Sequence, residues 1–187
     1  MFGYDQSGNI ENVGYELVSK FINDYMNQNS SQGLMVLPKI NFLYKGIIPE
    51  EYIASGNIRL LFYWKIKAAS KQAEINHIVE ELIDRFGVIP PSVNRIVEIQ
   101  YIYILCKKYC IRLIEEKQDC FIIHLNQKYW EQKINSLLNK INEFVHEQAI
   151  NYEIKELRET LLLHLTKKDQ MGSLGLIDNL IKKIIVI

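Results

Sequence analysis

A glycine and two prolines in the stretch EELIDRFGVIPP, at residues 80–91, limit what this chain can build. Apolar residues recur at helical spacing on both sides of the stretch. Proline lacks the N–H donor, and its ring clashes with the preceding turn, so one unbroken helix cannot cross it. Gly87 stands where a glycine just past the last turn ends a helix. Pro90 and Pro91 suit the entry to the next. The spacing therefore predicts one helix ending at Phe86 and another running to about Tyr109. A further helix from about Asn57 to Ala69 precedes them, with Asn57 and Ser70 as candidate caps.

Beyond Tyr109 the hydrophobic period changes. IRLIEE and DCFIIHL read as two strands of a hairpin joined near Lys117–Asp119. A helix from about Tyr129 to His146 follows, then strand-like INYEIKEL and ETLLLHLT, then a closing helix from about Leu174. Ahead of the helical part, LMVLPKINFLYKG reads as extended, with Pro38 marking an edge or entry point, and Pro49 opens a short turn of helix in IPEEYI. A helical half followed by a small, mainly antiparallel sheet packed with helices is an α+β pattern. Residues 1–9 form a glycine-containing loop, and a helix is expected from about Glu11 to Met26. QNSSQG at 28–33 is a polar connector. The expected organisation is thus a segment over 1–28, a connector over 29–33 and a body over 34–187.

Composition narrows the function classes. With 48% hydrophobic and 24% charged residues, the 187-residue chain can bury a sizeable core. Lys and Arg together number 22, as do Asp and Glu, so the net charge is zero. That balance argues against a module devoted to gripping phosphates. No basic segment with an apolar stretch behind it marks a secretory signal, and the terminal IIVI is too short to span a membrane, so cytosol is the expected compartment. Cys106, Cys110, Cys120 and His124 make a CxxxC…CxxxH series. Four residues of strand span roughly 13 Å, whereas zinc ligands lie about 2 Å from one ion. The series cannot converge without breaking an element, and the cysteines read as reduced core thiols. His124 and His164 lie in apolar strand patterns and read as core or surface histidines. Neither a GxxxxGKS/T loop nor GxSxG nor HExxH is present, so no catalysis, metal or cofactor is expected of this chain alone.

One helix face remains to be explained. At 100° per residue, Ile75, Ile78, Val79, Leu82 and Phe86 cover one side, facing the core. Glu81 and Asp84 fall opposite with His77, and Arg85 lies at the flank. Two acids three residues apart repel each other slightly. The residues alone leave two readings open, a solvated face or a docking patch.

Two segments together resemble a known family. FGYDQSGNIENVGYEL resembles the end of the motor region in bacterial transcription-repair coupling factor, where a QSG loop leads into a helix. IPEEYI, then RLLFY with the small AAS after it, then ELIDRFG followed by proline, are similar to the core of that family's C-terminal domain. The likeness covers residues 1 to about 114 at motif level and continues by pattern. It implies a piece of a cytoplasmic, ATP- and magnesium-dependent DNA translocase that displaces stalled RNA polymerase and recruits the repair protein UvrA. The helicase motifs, polymerase-binding module and UvrB-like module of such a protein lie upstream of the matched region. The resemblance implies that Glu81, Asp84 and Arg85 carry an intramolecular contact with the UvrB-like module, masking the surface UvrA uses. It also implies that Gln6, Ser7 and Gly8 belong to a loop coupling the motor to DNA, although Gly3 and Gly8 equally suit a plain turn.

Overall fold

The computed structural model describes residues 37–148, 151–157, 160–166, 179 and 183. The expected loop and helix of residues 1–28, the connector, and the closing helix except for positions 179 and 183 lie outside the described residues. The chain divides into two compact units. Of the described residues, the first unit holds 45–101, and the second holds 37–44 with everything from 102 onward.

The first unit is helical. Its helices are α1 (Gly56–Ala68), α2 (Gln72–Phe86) and the larger part of α3 (Pro91–Lys108). The break between α2 and α3 falls where glycine and proline require it. Gly87 has φ +83° and its N–H donates to the Ile83 carbonyl at 2.9 Å. Pro91 is the first residue of α3. IPEEYI makes the expected single turn, with the N–H groups of Tyr52 and Ile53 both donating to the Pro49 carbonyl. The residue preceding α1 is Ser55 rather than Asn57, and its side chain makes no capping bond. The residue preceding α2 is Lys71 rather than Ser70, and its side chain makes no capping bond either. Ser70, one residue earlier, donates to Glu74 through both its N–H (2.7 Å) and its hydroxyl (3.2 Å). These bonds, the backbone one first, hold the Glu74 carboxyl below the usual range. Ile75 and Leu82 are buried, and Ile78, Val79 and Phe86 are partly so, as the apolar stripe of α2 requires.

The second unit is built on a five-stranded sheet in the order β1-β2-β3-β5-β4. Its strands are β1 (Lys39–Asn41), β2 (Ile111–Glu116), β3 (Cys120–Asn126), β4 (Tyr152–Leu157) and β5 (Thr160–Thr166). β1 runs parallel to β2 at one edge, one residue after Pro38, and every other pairing is antiparallel. Alternation buries Phe121, Ile123 and Leu125 on β3 and Leu161, Leu163 and Leu165 on β5. The opposite face carries His124 and His164 beside Leu162 and Ile122, half-buried. Desolvation lowers the pKa of His124, against the opposing charge of Glu115.

The expected single helix over Tyr129–His146 is interrupted. A short α4 (Gln127–Trp130) runs into a 3-10 turn at Glu131–Lys133 before α5 (Ile134–Gln148). Asn126 caps α4 through its side chain, accepting from the Tyr129 N–H at 3.2 Å. Trp130 is fully buried and donates its indole N–H to the Tyr109 carbonyl at 3.1 Å. That bond removes the cost of burying the indole donor, and the tighter turn follows it directly. Cys106 is a buried thiol, but Cys110, expected in the core with it, lies beyond the end of α3 at φ +54° and is exposed.

Candidate interaction surface

The landmark residues of the sequence turn out to be the ties that build the first unit. Tyr63, the last residue of RLLFY, accepts from the Ile48 N–H at 2.7 Å within a buried setting. Arg59, the first, is only 7% exposed and donates to the carbonyls of Ile53 (2.8 Å) and Ala54 (3.0 Å), satisfying the end of the IPEEYI turn. Tyr52 donates toward the carbonyls of Leu82 (3.2 Å) and Gly87 (3.3 Å), at the C-terminus of α2. Phe86 meets the rings of Tyr52 and Phe62 edge-on, at 5.8 and 5.7 Å between centroids. The Ala69 carbonyl accepts from Gln100 of α3 at 2.8 Å. Tyr63 and Arg59 of RLLFY thus hold IPEEYI, Tyr52 of IPEEYI holds the end of ELIDRFG, and AAS is tied to α3 through its backbone.

The charged patch sits on the outside of this unit. The two oxygens of Glu81 accept from Lys65 of α1 at 2.6 Å and from Arg85 of α2 at 2.9 Å. The Lys65 bond foremost, and Arg85 with it, hold the Glu81 carboxyl below the usual range despite some desolvation. Arg85 also lies over the rings of Phe62 and Phe86, at 5.4 and 5.0 Å. The guanidinium and the ammonium thus staple α1 to α2. Asp84 is different: it is exposed and has no ion pair or hydrogen bond among the described residues. Among the described residues, the Glu80 carboxylate pairs with His77, at 3.3 Å. The structure brings Glu81 and Arg85 into direct contact and leaves Asp84 beside them as the outward charge. Gln6, Ser7 and Gly8 lie outside the described residues.

Sequence reasoning missed two members of this surface. One is Lys65, since α1–α2 packing decides which residues sixteen apart can meet. The other is the outer face of α1. Leu60, Leu61 and Trp64 are 37%, 47% and 40% exposed, although Phe62 and Ile66 of the same helix are buried. The signal was present: RLLFYWKI is apolar all round, whereas a helix with one buried side carries polar residues on the other.

Among the described residues, no group of three or more His, Cys, Asp or Glu is placed to hold a metal ion. No helix among them is long and apolar enough to cross a membrane. Fold and surface define a two-unit α+β module whose landmark residues are structural ties, with one ion-paired helix face turned outward. Residues 43–135 match the family model described as the TRCF domain. Curated relatives include the transcription-repair-coupling factor of Rickettsia typhi, 27% identical over 83% of this chain, and that of Buchnera aphidicola, 28% identical over 98% of it. That of Haemophilus influenzae is 30% identical over 56% of the chain. The chain spans 14% of the length of the Rickettsia typhi relative and 23% of the Buchnera one. A crystal structure of the C-terminal domain of transcription-repair coupling factor shares the fold, with a TM-score of 0.67 at 19% identity, over 81% of this chain and 93% of that one. Over residues 43–135 the chain carries a domain related to the transcription-repair-coupling factors.

Proposed function

We propose that this chain is the regulatory, non-catalytic end of a transcription-repair coupling factor. It packs on the UvrB-like module of the same protein and masks the surface used by UvrA in transcription-coupled nucleotide excision repair. ATP and magnesium belong to the upstream motor in this reading, and RNA polymerase and DNA are engaged by other domains. The observation that carries it is the outward face of α2. There Asp84, without a partner among the described residues, stands beside the Lys65–Glu81–Arg85 ion pairs. Such a face offers a partner one uncompensated acid and a guanidinium already held in place by two rings and a carboxylate. Fixing the Arg85 side chain before docking reduces the ordering cost of a contact.

The test is UvrA binding by the full-length protein, wild type against Asp84→Lys. Asp84 is the informative position because Glu81 has a structural task within this unit. Tighter UvrA binding by the variant, with an unchanged melting curve, is the expected result. Identical binding by both proteins would leave α2 with a solvated face and no masking role.

A further inference from the structure

The charged patch of α2 covers only part of the surface that α1 and α2 expose together. On the α1 helical wheel, Leu60, Leu61 and Trp64 fall within about 100° of one another, and Asn57 and Ala68 extend the stripe. Burial agrees with the wheel: all three apolar side chains are more than a third exposed, while Phe62, Tyr63 and Ile66 on the other side are buried. Soluble proteins seldom leave a tryptophan and two leucines adjacent and uncovered, and such patches mark binding sites. Lys65 follows Trp64 directly and lies one turn beyond Leu61, so the apolar stripe runs into the Lys65–Glu81–Arg85 ion pairs without interruption.

We infer that the Leu60–Leu61–Trp64 face of α1 is the apolar anchor of the docking surface, with the charges of α2 as its rim. The inference rests on the masking reading and names what the partner must bring. Helix α2 holds Glu74, Glu80, Glu81 and Asp84 against the single cation Arg85. The occupant is therefore a face of the UvrB-like module that sets apolar side chains against α1 and Arg or Lys side chains against Asp84 and Glu80. A tryptophan in the centre with charged residues excluding water around it is the arrangement in which interface energy concentrates. Charges at the rim set approach and orientation more than affinity.

The two tryptophans make the inference readable. Trp130 is fully buried in the second unit, and Trp64 is 40% exposed. The emission of the 187-residue chain less that of its Trp64→Phe variant therefore reports the surroundings of Trp64. The probe is the separately expressed UvrB-like module of a coupling factor, with binding followed independently by calorimetry. The difference emission is expected to shift to the blue and lose acrylamide quenching as the module saturates the chain. Trp64→Ala should weaken binding by about 30-fold, the size of a central anchor loss. Leu61→Ser should weaken it by about 5- to 10-fold, and it serves as the reading where Trp64→Ala melts early. Binding that depends on Asp84, with unchanged Trp64 emission and indifference to Leu61→Ser, would overturn the anchor and leave the masking contact standing. No binding by the wild-type chain would overturn the masking reading and the anchor with it.

Discussion

Glu81 and Asp84 are three residues apart on one helix, yet they do different things. Glu81 receives hydrogen bonds from two cations on two helices, so reversing it to Lys would set three positive groups together. Asp84 has no such ties among the described residues. Urea denaturation is expected to show Glu81→Lys destabilised by about 1–2 kcal/mol, because each half-exposed pair is worth up to about 1 kcal/mol and repulsion replaces it. Asp84→Lys should stay within about 0.5 kcal/mol of wild type. Equal stability of the two variants would mean the ion pairs contribute nothing. A second residue makes a prediction about pH. Burial, with the nearby charge of Lys45, lowers the Lys67 pKa from 10.5 to about 8. Above 10.5 neither folded nor unfolded chain protonates this group, so it carries no penalty. As pH falls toward 8, the unfolded chain takes up a proton that the folded chain refuses, and stability declines until it levels off below about 8. Lys67→Met should therefore raise stability at pH 7, on the order of 1–3 kcal/mol, and flatten that part of the profile. A parallel decline in both proteins between pH 10 and 8 would assign it to another group.

At the scale of elements, local chemistry was legible and packing was not. Gly87 and the double proline set the α2–α3 break from steric rules alone. The period-two pattern of IRLIEE and CFIIHL gave the hairpin, and Pro38 gave the edge. The 3-10 turn at Glu131–Lys133 was not legible, because it follows from the fit of Trp130 against the Tyr109 carbonyl, twenty-one residues away. The patch on α2 was legible as a cluster of charges, but its division into tied and outward groups depends on Lys65 of another helix. Glycine offers a contrast that tests this view. Gly46 has φ +81°, and a Cβ there would lie 2.3 Å from the Ser92 carbonyl oxygen, at the first turn of α3. Gly87 has a similar φ of +83°, but nothing lies within 4 Å of its Cβ position. Gly87→Ala should cost only backbone strain, about 1–2 kcal/mol. Gly46→Ala adds a clash with backbone that cannot swing aside, and should cost about 3–5 kcal/mol or prevent folding. Thermal melting of the two variants ranks them. A larger loss at Gly87 would show that the loop at Gly46 can move off α3.

For the whole molecule, the proposed masking contact is an equilibrium inside one chain, and its arithmetic bounds what any mutation can do. A flexible tether of moderate length supplies an effective concentration of around millimolar. A contact with an intrinsic Kd of around 10 μM would then hold the protein closed about 99% of the time. UvrA binding to the open form alone would appear weakened about 100-fold, the inverse of the open fraction. Deleting residues 37–187 should recover that whole factor. Asp84→Lys should recover it only if its ion pair is desolvated in the closed state, at roughly 2–5 kcal/mol. An exposed rim pair of about 0.2–1 kcal/mol would recover only about 1.4- to 5-fold. Ionic strength separates these cases, since added salt screens an exposed pair and leaves a desolvated one largely intact. With an apolar anchor on α1 and charges on its rim, Asp84→Lys is expected to recover a few-fold of UvrA affinity at low salt and less at high salt. Trp64→Ala should recover more than Asp84→Lys at both. A wild-type protein that binds UvrA as tightly as the deletion would mean that the chain is open throughout, and no masking contact exists to be released.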